Sequence, residues 1–223
     1  MELLRIQFTG WTATPRMPFI LSGNAICLPV PTYSLLLGLI GCCLGRVVDY
    51  KEINIGFQYC FDSTAFDIET RQRLIFDKTS RRIKQHHKGS DAYPREFHIN
   101  PRLTLWLNRV DWKEIFLNPI GTPGLGRSQD LLKIVSVETV NVVPVGEGEI
   151  TGTMIPFRTD LKTPGQLVQL AEAYYEKEDV GTGRIPVKSR IFLALRPETP
   201  VKLQFRSLFR EESGRAFYLH DWK

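Results

Sequence analysis

Sulfur and histidine are scarce in this chain: 223 residues carry four cysteines, three methionines and four histidines. Cys27, Cys42, Cys43 and Cys60 form no CxxC pair and have no histidine at zinc-ligand spacing, which excludes a zinc ribbon or finger and a disulfide scaffold. Adjacent Cys42 and Cys43 point different ways on a helix, so reduced, buried thiols in a cytoplasmic protein are the expectation. His86, His87, His98 and His220 fall in no HExxH pattern, and no GxSxG elbow is present. A P-loop and a dinucleotide fingerprint are missing as well. No metal and no cofactor are therefore expected. The uncharged stretch from Phe19 to Gly45 is broken by Pro29 and Pro31, and its unbroken apolar run, Leu35 to Leu44, is about half the ~20 residues a membrane-spanning helix needs. No membrane partner is expected. Met1 leads straight into a strand-like pattern with no basic region and cleavage site of a signal peptide. Internal repeats and low-complexity tracts are absent.

What is present is an ordinary globular composition, 43% hydrophobic and 24% charged, with a net charge of +5. The length suits one large domain or two small ones. The positive excess is local. From Arg71 to Arg102 nine Lys or Arg face three acids, which more than accounts for the excess of the whole chain. This segment reads as the polar tip of a hairpin whose legs leave at Phe66 and return at Arg95. A charge run of this kind is either a solvated face or a contact for a polyanion such as nucleic acid. With few anchoring residues, the tip is expected to order only against an anion.

Pro29 to Arg46 (PVPTYSLLLGLIGCCLGR) predicts a helix capped by Thr32 or Ser34. Gly38, Gly41 and Gly45 recur at steps of three and four and share a face with Cys42, opposite Leu36, Ile40 and Leu44. Three glycines cost a helix about 1 kcal/mol each, which implies that something approaches the backbone closely. That something is a sheet packed on the helix, the plainer reading, or the sugar-phosphate chain of a ligand. Alternating apolar residues predict strands at Leu4–Phe8 and Ile53–Phe61, and Leu131–Val143 reads as another. Glu147–Pro156 reads as a glycine-containing loop with room for short strand pieces, Asp111–Asn118 as a short helix, and Thr163–Lys177 as a surface helix. Ser189–Leu195 and Val201–Leu208 are expected strands, and the aromatic tail Ala216–Trp222 is expected to dock.

Two stretches carry candidate chemistry. Gly121–Ser128 (GTPGLGRS) is a glycine-rich turn able to offer backbone amides to a phosphate beside Arg127 and Ser128, or is simply a strained connector. Lys84, His86, His87 and Lys88 lie together in the basic tip. Histidine beside lysine can deprotonate a ribose 2′-hydroxyl without metal, and the same residues can bind RNA by stacking and charge. Binding is the favoured reading over cleavage.

Together these pieces resemble a known family. A first strand, an arginine-bearing proline-rich connection (ATPRMPF, Ala13–Phe19), the PTYS turn, the GLIGCCLG helix and the later GLGRS turn are similar to the Cas-five family, RAMP-type subunits of type I CRISPR Cascade complexes. The resemblance covers the first 50 residues and extends through the basic hairpin to about Leu131. It implies an α+β fold: a ferredoxin-like, RNA-recognition-type core over residues 1–145, with a long basic β-hairpin thumb over about 66–107. A smaller, mainly β extension over 146–223 would pack on that core. It also implies a non-catalytic subunit that holds the 5′ handle of the CRISPR RNA, caps the filament of backbone (Cas-seven) subunits beside the large subunit, and reaches target DNA only through the complex. By position, Arg16 would face the handle, Tyr33 and Ser34 begin the glycine-faced helix and Arg46 ends it. Arg81, Arg82 and Lys84 would belong to the thumb, joined by His86, His87 and Lys88, and Gly124, Gly126, Arg127 and Ser128 to the glycine-rich turn. One branch of the family cleaves precursor RNA with a tyrosine, a lysine and a histidine. Tyr50, Lys84 or Lys88, and His86 or His87 lie in loosely similar regions here.

Overall fold

The computed structural model describes residues 1–18, 24–176, 184–212, 214 and 216–222. Phe19, at the end of the proline-rich connection, and Lys177, at the end of the expected surface helix, lie outside the described residues.

Strand β1 (Glu2–Gly10) buries Leu4, Ile6 and Phe8 on one face, as their alternation predicts. A two-residue strand, β2 (Thr12–Ala13), follows, and helix α1 spans Tyr33–Leu44. Next come β3 (Ile55–Cys60), the long pair β4 (Ser63–Asp77) and β5 (Arg82–Ile99), and β6 (Arg102–Leu107). Helix α2 (Lys113–Leu117) leads to β7 (Leu132–Ile150), a strand long enough to serve two neighbours. The chain ends with β8 (Met154–Pro156), β9 (Gln166–Glu176), β10 (Arg184–Ala194), β11 (Val201–Glu211) and β12 (Ala216–His220).

Six strands close a barrel in the order β1-β6-β3-β12-β11-β7. Within it β7, β1, β6 and β3 are consecutive antiparallel neighbours, with α1 inserted between β1 and β3 and α2 between β6 and β7. The first half of β7 pairs with β1 and the second with β11. The division expected at 145–146 thus falls inside a strand, and both parts of the chain share it. The tail docks as predicted: β12 pairs with β3 and β11, and the Trp222 indole donates to the Ile53 carbonyl. The architecture is α+β and dominated by sheet.

Helix α1 is fastened at both ends. Thr32 accepts from the Leu35 amide at 3.2 Å, and Gly45 ends the helix in the left-handed region (φ 68°), where its added Cβ would meet the Ile120 side chain at 2.8 Å. Tyr33, Leu36, Leu37, Leu39, Ile40, Cys43 and Leu44 are buried, and each large apolar side chain among them contributes about 1.5–3 kcal/mol on burial.

Two sequence expectations are overturned. Gln166–Glu176 is a strand and not a helix; its Gln, Leu, Ala and Glu favour helix locally, but ten register pairs with β10 override that preference. The stretch from Glu147, expected as a loop with short strand pieces, holds more strand than loop: to Ile150 it continues β7, held by β11, and Met154–Pro156 is the short strand β8. In the hairpin, β4 and β5 pair down to Asp77 and Arg82, with a register shift between Gln72 and Leu74.

His98 is buried beside Phe61, whose ring stacks on it at 3.7 Å, and its Nδ1 meets the Tyr59 hydroxyl at 2.8 Å. Burial lowers its pKa from 6.5 to about 4. The folded value lies below the unfolded one, so this group's contribution to stability is complete above pH 6.5 and is lost as pH falls towards 4. Urea midpoints measured across pH 4–7 should fall through this window, and the fall should be shallower in His98→Gln whatever that variant's absolute stability. Equal slopes in the two proteins would contradict the assignment.

Candidate RNA-binding groove

The glycine-bearing face of α1 does not pack on a sheet. Gly38 is exposed, and a Cβ built there meets none of the described residues within 4 Å. A Cβ on Gly41 would lie 2.7 Å from the Arg46 carbonyl oxygen, so that glycine serves the return of the chain after the helix. Gly38, Cys42 and Ser34 instead floor a groove of about 550 Å³ whose far side is the glycine-rich turn, with Gly124, Gly126, Arg127 and Ser128. A contiguous cavity of about 400 Å³ shares Ser34, Gly38 and Cys42 and continues to Gly45 and Arg46. Tyr174 and Arg184, from β9 and β10, line both.

The turn is built around a residue that sequence reasoning passed over. Asp130 is fully buried and accepts from the Arg127 amide (2.8 Å), the Arg127 Nη2 (3.0 Å) and the Thr12 hydroxyl (2.7 Å). Burial alone would raise its pKa; the hydrogen bonds from Arg127 and Thr12 outweigh this and hold it below the usual carboxylate value. Gly126 is required by the backbone, with φ at 124° and a Cβ that would fall 2.5 Å from the Thr14 carbonyl oxygen. Arg127 is consequently committed to Asp130, and its guanidinium lies 5.4 Å from the Phe97 ring centroid. It shapes the groove more than it charges it.

The structure separates the remaining sequence candidates. Tyr33 is 2% exposed, stacks on His220 at 4.2 Å and donates its hydroxyl to the Met154 carbonyl at 2.6 Å; it is a core residue, unable to offer a ring to a ligand. Arg46 is exposed at the far end of the groove and pairs with Glu52 at 2.7 Å. Arg16 is exposed on the connection after β2, in a bridge to Cys27.

Arg81, Arg82, Lys84, His86, His87 and Lys88 all lie on the β4–β5 hairpin and do not line the groove. Internal pairing tempers this hairpin's charge: Arg73 pairs with Asp91, Arg95 with Glu69, and Lys84 with Asp77. Arg81, in the left-handed region at the turn (φ 52°), and Arg82 form no ion pair among the described residues. His86 and His87 face each other with ring centroids 4.1 Å apart. Tyr50 packs edge-on against Trp222 on the barrel, joined to neither histidine. Among the described residues no three His, Cys, Asp or Glu gather as a metal site.

Tyr174 and Arg184 were hidden because the segment carrying Tyr174 reads as a helix, which would turn every third or fourth residue to α1. As a strand it turns every second residue there: Leu170 and Glu172 are buried, and Tyr174, next on that face, overhangs the groove 44% exposed. Arg184 begins β10, opposite Glu176 at the end of β9.

Comparison with known proteins comes from structure alone. No protein-family model and no curated protein matches the sequence. A chain of a CRISPR RNA-guided surveillance complex aligns with a TM-score of 0.54 at 16% identity, covering 89% of this chain and 91% of that one. A CRISPR protein from Archaeoglobus fulgidus aligns over 99% of both chains, with a TM-score of 0.51 at 10% identity. This chain shares its fold with CRISPR-associated proteins. At these identities the likeness is one of fold, and the groove's chemistry stands on its own residues.

Removing the Asp130 carboxylate in Asp130→Ala leaves the Arg127 guanidinium and amide without their acceptor. The expected loss is about 3–5 kcal/mol in urea denaturation, the cost typical of breaking a buried pair from one side. A loss below about 1 kcal/mol would show that the turn does not depend on this carboxylate.

Proposed function

We propose that the protein is a CRISPR-RNA-binding subunit of a type I Cascade effector, of the Cas-five kind. It would hold the 5′ handle in the groove along α1 and cap the filament of backbone subunits beside the large subunit. The observation that carries this reading is Gly38: a mid-helix glycine at which an added Cβ would meet none of the described residues within 4 Å. An unpaired strand lying against the helix backbone supplies the missing reason. Three features support the assignment. The order β7-β1-β6-β3 with intervening α1 and α2 is that of a ferredoxin-like β-α-β-β-α-β unit, here extended into a barrel. The β4–β5 hairpin has the form of the family's thumb, with Arg81 and Arg82 at its turn. The fold likeness includes a chain from an RNA-guided complex.

The reading assigns no catalysis to the chain. Tyr50 belongs to the packing around Trp222, and His86 and His87 stack on each other on the hairpin. Repeat RNA incubated with the protein in chelator should remain intact; specific scission that His86→Ala and His87→Ala abolish would replace this reading with that of a metal-independent endoribonuclease.

Gly38→Leu separates binding from folding. Stability should rise by roughly 0.8 kcal/mol through helix propensity, because the added side chain meets open space. Affinity for handle RNA should fall roughly tenfold or more. Unchanged affinity in a folded Gly38→Leu protein would refute the groove as the handle site. Charge reversal at Arg81 and Arg82 should weaken complex assembly and flatten its salt dependence, and normal assembly of that double variant would remove the hairpin from the account.

A further inference from the structure

The β9–β10 hairpin places an aromatic ring, Tyr174, and a guanidinium, Arg184, along the groove, and no role in the proposed function accounts for them. We infer that Tyr174 and Arg184 clamp one unpaired ribonucleotide against Gly38, with the base on the Tyr174 ring and a phosphate on the Arg184 guanidinium. This rests on the groove being the RNA site and adds how a nucleotide is gripped there.

The placement follows from the strand period. On the face of β9 turned to α1, Leu170 and Glu172 are buried. Arg190 of β10 lies 3.0 Å from the Glu172 carboxylate, and the Lys188 ammonium donates to the Trp222 carbonyl at 2.9 Å. These contacts tie the hairpin to the barrel and commit two of the three cations on that face of β10. Arg184 is the third, at the start of the strand, two register steps beyond the Pro186–Tyr174 pair. It stands opposite Glu176 in the register of the hairpin, whereas Arg127 across the groove is neutralised by Asp130 and Arg46 at its end by Glu52. Arg184 lines both parts of the groove, and a guanidinium placed there can pair with a phosphate bidentately.

Tyr174 complements it. The half-exposed Tyr174 ring and Gly38 line the same groove, and the inferred slot for a base lies between them. Every base has a face to stack, so such a slot accepts any of the four. The same slot excludes a paired duplex, whose bases present no free face.

The test uses the full chain and a synthetic copy of the RNA that co-purifies with it from its host. Tyr174→Ala and RNA carrying an abasic site at one position should each weaken binding roughly tenfold, within the range found for single stacking contacts, and the two changes together should cost no more than either alone. Tyr174→Phe should bind as the unaltered protein does. Arg184→Gln should weaken binding and reduce the salt slope by about one. Unaltered affinity in folded Tyr174→Ala and Arg184→Gln overturns the clamp. If Gly38→Leu still abolishes binding in that case, the groove reading survives without the clamp. If the unaltered protein binds no RNA, both fall.

Discussion

Helix α1 is packed on one side and bare on the other, and the candidate site depends on that asymmetry. Its apolar face is set into the barrel by Leu36, Ile40, Cys43 and Leu44, while Tyr33 joins it to His220 of the last strand and to the Met154 carbonyl. A helix held this firmly can carry a glycine at its centre without unravelling, because tertiary packing and not propensity supplies its stability. The opposite face is then free to present backbone to the groove. Two other elements complete the walls: the glycine-rich turn wound around Asp130, and the β9–β10 hairpin anchored through Glu172.

Charge is distributed less generously than the sequence suggests. The excess of cations between Arg71 and Arg102 is partly spent on the hairpin's own acids, and Arg127 and Arg46 are each held by a carboxylate. Such pairs fix shape and remove charge that a phosphate would otherwise meet. Among the described residues, Arg81 and Arg82 at the hairpin turn are cations that no ion pair holds, and Arg184 lines the groove. In the proposed function these are the positions where an anionic strand finds cationic charge.

Much of the frame was legible in the sequence. A cap at Thr32 or Ser34 (Thr32 in the structure), the extent of α1, the alternation in β1 and β3, the legs of the hairpin and the docking tail all rest on local rules of capping and periodicity, and the structure follows them. The meaning of the glycines was only half legible. Spacing put Gly38 and Gly41 on one face, but which of them touched protein and which faced space depended on chain segments distant in sequence. Tyr33 had the composition of a stacking residue and the position of a core one; period alone does not say how deep a helix is set. Asp130 left no signal at all, since a single acid in a loop looks like any solvated carboxylate until its neighbours fold around it. The largest misreading was β9, where good helix formers were drawn into a strand by pairing with β10, and it concealed Tyr174 and Arg184 together.

Cys42 offers the most direct test of the central claim, that an unpaired RNA lies along the bare face of α1. Its thiol is exposed in the groove one turn beyond Gly38, whereas Cys43 beside it is buried. The rate of Cys42 alkylation, followed by peptide mass spectrometry with and without bound handle RNA, reads occupancy of the groove without altering the protein. The account predicts strong protection of Cys42 on RNA binding. Equal alkylation rates with saturating RNA bound would place the RNA elsewhere on the molecule and contradict it.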